Sequence, residues 1–402
     1  MIARYELRCS ECGALAQRHD LPCAICGELL EFALQNDARD PALARAYIAM
    51  VSQRRASNDP LDRSGIWRWR ELLPSIPVDA VVTLAEGNLP LYDVSAIAKR
   101  EGIAALAFLH LGMNPTGSFK DLGMTVAISA AHAAGARRAI CASTGNTASS
   151  MAAYAARAGM EAYAMVPRGK ISGAKLAQMR DYGVRVVEVE GSFDDALAAL
   201  TARADGEAAV VNSINPYRLE GQKCTAFALL EARSWRVPDW VVVPGGNLGN
   251  SSAIGKGFRE ALALGMIERL PRIAVVQAEG AAPFVRLYTS HTDLIPIVPH
   301  TVASAIAVGA PKSWRKARAE IDASHGAVVA VSDDEIDAAK ARIGAAGIGC
   351  EPASAATLAG ITRLRAAGSI ATSDDVVAVL TGHVLKDSDA SLRVADHRDA
   401  GA

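Results

Sequence analysis

The segment Trp240-Val-Val-Val-Pro-Gly-Gly-Asn-Leu-Gly-Asn250 joins a short apolar run to a glycine-rich turn. The apolar run is typical of a buried strand, and the turn can present backbone N–H groups to a phosphate where the next helix begins. The turn lacks the G-x-G-x-x-G pattern with a later acidic residue, and it lacks the Gly-Lys-Ser/Thr ending of nucleotide loops. It therefore predicts a site for a monophosphate and not for a dinucleotide or ATP. A tight turn that binds nothing is the alternative.

The same strand-to-helix order repeats along the chain. Short apolar runs alternate with alanine-rich helical stretches, which predicts parallel sheets covered by helices on both faces, an α/β fold. Ser332 to Glu335 and Ser192 to Asp195 have the spacing of capping boxes at helix starts, and Pro41 to Arg55 has helical spacing of apolar residues. The predicted strands are Ala104–His110, Arg138–Ser143, Glu161–Val166, Val184–Val189, Ala208–Asn212, Trp240–Val243, Ile273–Gln277, Val328–Val331 and Val376–Leu380.

Three more polar turns follow predicted strands, where ligands collect in open α/β sheets. Asn114 to Asp121 reads NPTGSFKD and places Lys120 at the start of an apolar helix. Burial there would lower the lysine pKa and make its amine a nucleophile for an aldehyde, whereas a solvated lysine is the alternative. Ser143 to Thr147 offers donors that suit a carboxylate or a ring hydroxyl, or else a simple helix cap. Thr381 offers a hydroxyl that could meet a ring nitrogen.

These four turns together match one ligand better than any of them does alone. An amine for an aldehyde, donors for a ring oxygen, a cradle for one phosphate and a hydroxyl for a ring nitrogen correspond to the groups of pyridoxal phosphate. We therefore predict an enzyme with pyridoxal 5'-phosphate as its cofactor.

Four cysteines near the N-terminus form a separate pattern. Cys9, Cys12, Cys23 and Cys26 have the spacing C-x2-C-x10-C-x2-C, and each pair lies in a turn that ends in glycine. Two such turns can present four thiolates to a tetrahedral zinc ion. We predict a small ribbon over residues 1–34 that is held together by structural zinc. A ribbon with free or oxidised thiols is the alternative.

The motifs resemble those of the threonine synthases, in the fold-type II group of pyridoxal-phosphate enzymes that includes tryptophan synthase β. The similarity runs from Glu86 to Asp387 and includes NSINPYRLEGQK at 212–223 and CEPASAA at 350–356. The resemblance implies two open parallel-sheet α/β domains with the cofactor in the cleft. We expect a large domain from 35–120 and 214–390, and a small mobile domain from 121–213. The segment after Asp387 is polar and is expected to fray, and residues 391–402 are expected to form a tail.

The resemblance also implies a role for each motif. Lys120 would bind the cofactor aldehyde and move protons, Asn146 would bind the ring oxygen, and Thr381 would accompany the ring nitrogen. The other implied contacts are Gly245, Gly246, Asn247, Leu248 and Gly249 for the cofactor phosphate, Ser143, Thr144 and Thr147 for the substrate carboxylate, and Asn212, Ser213, Arg218 and Lys175 for the substrate phosphate.

The implied reaction converts O-phospho-L-homoserine and water into L-threonine and phosphate by γ-elimination and β-addition. The chain departs from the usual family residues at Leu89, Leu122, Ala307, Ala310 and Val384. A related enzyme for another phospho- or hydroxy-amino acid therefore stays open, similar to cysteate synthase or to a serine/threonine dehydratase. A non-catalytic zinc-ribbon binding protein is the third hypothesis.

Composition limits the partners. The 402 residues carry a formal net charge of −1, without the basic excess of a nucleic-acid-binding protein. No run reaches the roughly 18 apolar residues of a membrane span, and the N-terminus lacks the apolar core of a signal peptide. We expect a cytoplasmic enzyme for a small phospho-amino acid, and the resemblance implies a homodimer.

Overall fold

The computed structural model of the chain describes residues 3–16, 22–35, 39–143, 145–167, 173–190, 207–290 and 293–399. The chain divides into two compact units. The first unit contains residues 1–88, 114–224 and 263–266, and the second contains 89–113, 225–262 and 267–402.

Strands and helices alternate along most of the described chain. The strands are β1 (Tyr5–Cys9), β2 (Leu30–Leu34), β3 (Leu91–Asp93), β4 (Ala105–His110), β5 (Arg138–Ala142), β6 (Glu161–Pro167), β7 (Arg185–Val189), β8 (Ala208–Val210), β9 (Trp240–Pro244), β10 (Arg272–Ala278), β11 (Ala327–Val331) and β12 (Asp375–Leu380). The α-helices are α1 (Pro41–Arg54), α2 (Pro60–Arg63), α3 (Ser95–Glu101), α4 (Lys120–Ala133), α5 (Asn146–Arg157), α6 (Gly173–Asp181), α7 (Pro216–Ala232), α8 (Gly249–Ala263), α9 (Pro283–Ser290), α10 (Trp314–Ala323), α11 (Asp333–Ala345), α12 (Pro352–Ala366) and α13 (Ser388–Asp399). Short 3-10 helices lie at Trp67–Leu72, Val78–Ala80, Leu111–Met113, Glu279–Ala281, Ser304–Ile306 and Val384–Lys386.

The first unit is built on a four-stranded parallel sheet of order β7-β6-β5-β8. Side chains alternate across its faces, so Cys141 packs in a cluster with Met124 and Met151, while Ile140 packs with Val210. Both faces are therefore buried, as the apolar runs predict. The antiparallel pair β1 and β2 belongs to the same unit.

The second unit is built on a six-stranded sheet of order β11-β10-β9-β12-β4-β3. All of its neighbouring strands are parallel except β3, which pairs antiparallel with β4 at the edge. The main core of this unit surrounds the central strands and includes Val242, Val276 and Ala378. The α/β fold and all nine predicted strands are confirmed.

Two helix-start predictions have different outcomes. Ser332 forms the predicted capping box, because its side chain accepts from Glu335 N at 3.2 Å while the Glu335 carboxylate accepts from Ser332 N at 2.7 Å. The predicted box at 192–195 lies outside the described residues. Helix α1 matches its prediction, and the Asp40 side chain caps it.

The prediction of a fraying segment after Asp387 is wrong for the residues that the structure describes. Residues 388–399 form helix α13, with Ala390 and Val394 buried. Arg393 donates to both carboxylate oxygens of Asp337, at 2.8 and 2.9 Å. Two apolar contacts and one bidentate ion pair thus hold a helix whose sequence is mostly polar.

The predicted bounds of the large and small domains stay a prediction. Within the first unit, residues before 88 pack with residues after 114, and Trp67 Nε1 donates to Thr125 Oγ1 at 2.8 Å. Among the described helices, none combines the length and the apolar character that crossing a membrane requires.

Candidate active site

Lys120 is the first residue of α4 and follows a tightly bonded turn. Gly117 has φ +83°, a conformation that favours glycine, and its N–H donates to Asn114 O at 2.9 Å. The buried Asn114 side chain accepts from Gly87 N at 2.9 Å. Lys120 is half-buried, and its Nζ lies 4.2 Å from the centroid of the Phe119 ring. The backbone at Lys120 is therefore fixed from both sides of the turn.

A buried carboxylate lies directly beside Lys120 in the sequence. Asp121 is fully buried and accepts from Thr116 N at 2.7 Å, from Thr116 Oγ1 at 2.6 Å and from Ser150 Oγ at 2.6 Å. Burial raises the pKa of Asp121 to about 6, although these donors act in the opposite direction. Asp121 holds the turn to α4 and to α5, a positioning role that the sequence analysis did not assign.

Glu86 is a second buried carboxylate in the first unit. It accepts from Ser64 Oγ at 2.6 Å, from Leu84 N at 2.9 Å and from Tyr154 OH at 2.8 Å. The negative charge of Glu86 also contributes to the raised pKa of Asp121. Residue 86 therefore joins the segment before Gly87 to helix α5, and so supports the turn that leads to Lys120.

The polar turn after β5 is held in place by Asn212. Its Oδ1 accepts from Ala142 N and its Nδ2 donates to Ala142 O, both at 2.9 Å. One amide hydrogen and one oxygen lone pair are left for a ligand. Ser143 Oγ accepts from Gly145 N at 3.1 Å, and the buried Asn146 begins α5.

For four predicted site residues of the first unit, the structure gives little or no information on side-chain contacts. Thr147 and Ser213 are half-buried. Thr144 lies outside the described residues, and for Lys175 the structure describes only a backbone position in α6. Their roles stay predictions.

Arg218 carries a buried positive charge in the first unit. Its side chain is only 1% exposed, and Nη1 donates to Val211 O at 3.2 Å. Within the described part of the chain, Nε has no hydrogen-bond partner, and no carboxylate contributes to the pKa shift of the guanidinium. Burial lowers the pKa of Arg218 to about 10, so the group remains a cation at neutral pH. Burial also raises the pKa of the neighbouring Cys141 thiol to about 12, so this thiol does not neutralise the cation.

The glycine-rich turn of the second unit has the features of an anion site. Gly245 N donates to Val276 O at 2.7 Å, and Leu248 has φ +63°, so the chain reverses sharply before α8. A Cβ at Gly246 would lie 3.2 Å from Ala305 O, so the turn is tightly enclosed. Asn247 Oδ1 accepts from Lys312 N at 2.6 Å. This side chain braces the turn from outside.

Asn250 was not among the predicted site residues, yet it is the clearest sign of a ligand at this turn. It lies in the first turn of α8 and is 8% exposed. Neither its Oδ1 nor its Nδ2 has a hydrogen-bond partner among the described residues, and the same holds for Ser251 Oγ. A buried amide without partners is costly. A phosphate at the helix start would satisfy such donors, so the residues fit the phosphate of pyridoxal phosphate.

Thr381 is buried at the end of β12 and belongs to a polar cluster. Its Oγ1 lies 3.1 Å from Ser354 Oγ and 3.5 Å from Glu351 Oε1. Ser354 Oγ also accepts from Thr381 N at 2.8 Å and from Gly382 N at 3.0 Å. Since these two N–H groups occupy the Ser354 lone pairs, its own proton is left for Thr381 Oγ1 or for Gly382 O, which lies 3.4 Å away. The Thr381 hydroxyl donates to Glu351 Oε1 over a long 3.5 Å, and it must turn from this contact to donate to a ring nitrogen.

Two of the departures from the family pattern have a packing explanation. Leu122 is fully buried, so its apolar side chain suits the position better than an unpaired arginine would. Val384 Cγ1 would lie 2.6 Å from a Cβ at Gly349. These residues thus fill space between elements of one unit. Leu89, Ala307 and Ala310 are half-buried, and nothing in the structure explains them.

The four N-terminal cysteines converge as the spacing predicts. Their Sγ atoms all lie within 4.8 Å of one another, with Cys9–Cys26 at 3.4 Å, Cys12–Cys26 at 3.6 Å and Cys12–Cys23 at 3.7 Å. Sulfur atoms around a tetrahedral zinc ion lie about 3.8 Å apart, given a Zn–S bond of about 2.3 Å. Gly13 and Gly27 have φ +71° and +75° and close the two turns. The donor set therefore fits a four-thiolate metal ion.

Comparison with known proteins places these motifs in a family. The family described as pyridoxal-phosphate dependent enzyme matches residues 82–382. The chain is 44% identical over 336 residues to threonine synthase of Methanocaldococcus jannaschii, covering 83% of each chain. It is 40% identical over 398 residues to threonine synthase of Methanosarcina acetivorans, covering 98% of this chain and 95% of the relative.

Solved structures support the same fold. Maize serine racemase is similar with a TM-score of 0.66 at 18% identity, covering 90% of this chain and 99% of the racemase. Threonine deaminase isoform 2 from Solanum lycopersicum is similar with a TM-score of 0.66 at 19% identity, covering 94% of this chain and 98% of the deaminase. At these identities the similarity concerns the fold alone.

The Asn250 amide, which has no partner among the described residues, leads to a prediction in which cofactor affinity changes and thermal stability does not. Asn250→Ala should weaken pyridoxal phosphate binding by about 10-fold, the loss expected for a hydrogen bond to a charged group. The thermal stability of the cofactor-free protein should not fall, because the change removes a buried group without partners. Titration of cofactor-free protein with pyridoxal phosphate and thermal unfolding measure the two effects. Unchanged cofactor affinity would contradict the assignment.

Proposed function

Because this chain belongs to the pyridoxal-phosphate-dependent enzymes, and within them to the threonine synthases, we propose that it converts O-phospho-L-homoserine and water into L-threonine and phosphate. The observation that carries the choice of substrate is the buried Arg218 cation, which has no anionic partner within the described chain. Its planar donor fork suits a phosphate dianion.

Each functional group of the chain has a proposed task. The Lys120 amine holds the cofactor and moves protons at the substrate Cα and Cβ. The N–H groups of Gly245–Gly249 and the Asn250 amide bind the cofactor phosphate. Asn146 binds the ring oxygen, and the Thr381 hydroxyl donates to the ring nitrogen.

The substrate is held at its two charged ends. Ser143, Thr144 and Thr147 bind its carboxylate, while Arg218, with Asn212, Ser213 and Lys175, binds its phosphate. When bound, pyridoxal phosphate supplies a sink for the electron pair that remains when a proton leaves carbon. Arg218 also stabilises the negative charge that accumulates on the departing phosphate.

The assignment of Lys120 and of the reaction is tested together. Borohydride reduction should trap the cofactor on the peptide that contains Lys120, as measured by mass spectrometry, and Lys120→Ala should abolish trapping. The wild-type protein should release threonine and phosphate from O-phosphohomoserine and should turn over O-phosphoserine and threonine at least about 100-fold less efficiently. Threonine lacks the phosphate, and O-phosphoserine is one methylene too short to place its carboxylate and its phosphate at both binding groups together. Preferred turnover of O-phosphoserine or threonine would instead identify one of the related enzymes. A protein that traps no cofactor would support the non-catalytic hypothesis.

The role of Arg218 is tested by comparing its substitution with that of a buried arginine that does have a carboxylate partner. Arg218→Gln should raise KM for O-phosphohomoserine about 10- to 100-fold, because it removes charged hydrogen bonds to phosphate. Thermal stability should not fall, because a buried charge without a counter-ion is itself unfavourable.

Arg54 is the matched control. Its side chain is only 11% exposed, and it donates to Glu71 Oε2 at 2.7 Å. Arg54→Gln should lower stability and leave KM unchanged. If Arg218→Gln behaves as this control does, Arg218 is structural and does not bind the substrate.

We also propose that Cys9, Cys12, Cys23 and Cys26 hold one structural zinc ion. The support is the mutual approach of the four sulfur atoms and the small apolar core around them, in which Leu30 is the one buried residue beside Cys9 and Cys23 among the described residues. Four sulfur ligands leave no open position for catalysis.

Metal analysis of the purified chain should find one zinc per chain. Cys26→Ser should lose this zinc and should unfold the ribbon, as measured by faster proteolysis within residues 1–35. A stoichiometry near zero in protein purified without chelators would contradict the zinc assignment.

A homodimer in the cytoplasm completes the proposal, with the family resemblance as its support. Light scattering should give a mass near twice the 42.0 kDa of one chain.

A further inference from the structure

The cysteine ribbon packs on helix α7 through one aromatic residue from each of its strands. Phe32 of β2 is 7% exposed, and its ring centroid lies 4.7 Å from that of Tyr217, with the two planes tilted by 52°. Tyr5 of β1 lies under Lys223, whose Nζ is 4.0 Å from the ring centroid. Contacts of this kind are directional as well as apolar, so they fix orientation.

The residues contacted by the ribbon lie beside the buried cation. Tyr217 directly precedes Arg218. Lys223 pairs with Glu220 at 2.6 Å, and both side chains are fully buried. The Lys223 ammonium is therefore held between a carboxylate of its own helix and an aromatic ring of the ribbon. The ribbon thus contacts α7 on both sides of Arg218 in the sequence.

Helix α7 also packs closely against helix α4. A Cβ at Gly221 would lie 1.8 Å from Leu122 O, and a Cβ at Gly123 would lie 2.5 Å from Arg218 O. The backbones of α7 and α4 are therefore in direct contact, without flexible side chains between them. The α7 backbone at Arg218 and Gly221 is therefore fixed against α4, and the ribbon contacts can change mainly the direction of side chains that leave α7.

We propose that the metal-held ribbon positions Arg218, with Phe32 and Tyr5 as the positioning residues. The ribbon has too small an apolar core to hold these two rings in place without its metal. Loss of the ribbon contact frees the Tyr217 side chain beside Arg218, and the Arg218 guanidinium then meets the substrate phosphate in a poorer orientation. The inference rests on the proposed function, because it assigns the phosphate of the substrate to Arg218.

The test uses the full-length holoenzyme with Phe32→Ala. KM for O-phosphohomoserine and the inhibition constant of inorganic phosphate should rise together by about 3- to 10-fold, the size expected for one aromatic pair. The cofactor absorption spectrum and the zinc content should not change. Phe32→Tyr should restore both constants, because the ring is retained.

The control variant is Leu15→Ala, which changes a ribbon side chain that is 68% exposed. It should leave both constants unchanged. A ribbon that serves stability alone would give a lower unfolding temperature for Phe32→Ala with no change in KM or in phosphate inhibition, and this outcome would overturn the proposal.

A double-mutant cycle assigns the effect to the contact itself. Tyr217→Leu should raise the same constants, and the double variant Phe32→Ala/Tyr217→Leu should be no worse than the poorer single variant. Removal of zinc from the wild type should reproduce the rise in KM but should add little to Phe32→Ala. Fully multiplicative effects would show that the two rings act independently and would contradict the proposal.

Failure of the proposed function can be distinguished from failure of the positioning role. If the wild type does not turn over O-phosphohomoserine, the proposed function fails before any variant is compared. If the wild type is active and Phe32→Ala has wild-type constants, only the positioning role fails.

Discussion

A charge buried away from water must be matched by an opposite charge or by several hydrogen bonds, and this requirement organises the first unit. Glu86 and Asp121 meet it with donors from segments far apart in the sequence, including Tyr154 and Ser150. Among the residues that the structure describes, Arg218 meets it only in part, through one backbone carbonyl. The same physical rule thus separates the carboxylates that hold the structure from the cation that we propose binds the substrate phosphate.

The proposed phosphate site of the second unit has a different character. Its glycine-rich turn carries no charged side chain, and at the start of α8 the neutral Asn250 amide and the Ser251 hydroxyl have no hydrogen-bond partner among the described residues. Neutral donors at a helix start can bind a phosphate firmly without an arginine that would compete for the substrate phosphate. This difference gives a physical reason why two phosphates could be told apart by one enzyme.

Sequence patterns predicted what depends on neighbours along the chain. The nine strands and the Ser332 capping box follow from apolar runs and short spacings. Strand β3 was missed because three residues are too few to reveal a period, and α13 was missed because Arg393 depends on Asp337, 56 positions away. The roles of Asp121 and Asn250 were missed for the same reason, since burial and lost partners are properties of the folded chain.

In the proposed ribbon, the free energy of metal binding at the cysteines also stabilises the contacts that the ribbon makes with helix α7. A metal that binds only the folded ribbon stabilises every contact that the folded ribbon makes, including those of Phe32 and Tyr5. Helix α7 could be stable without that help, because Gly221 already packs it closely on α4. Stability and orientation are separate requirements, however, and a guanidinium fork must be oriented to within tens of degrees to bind phosphate through two hydrogen bonds. The two aromatic contacts therefore matter for the direction of Arg218 more than for whether the helix forms.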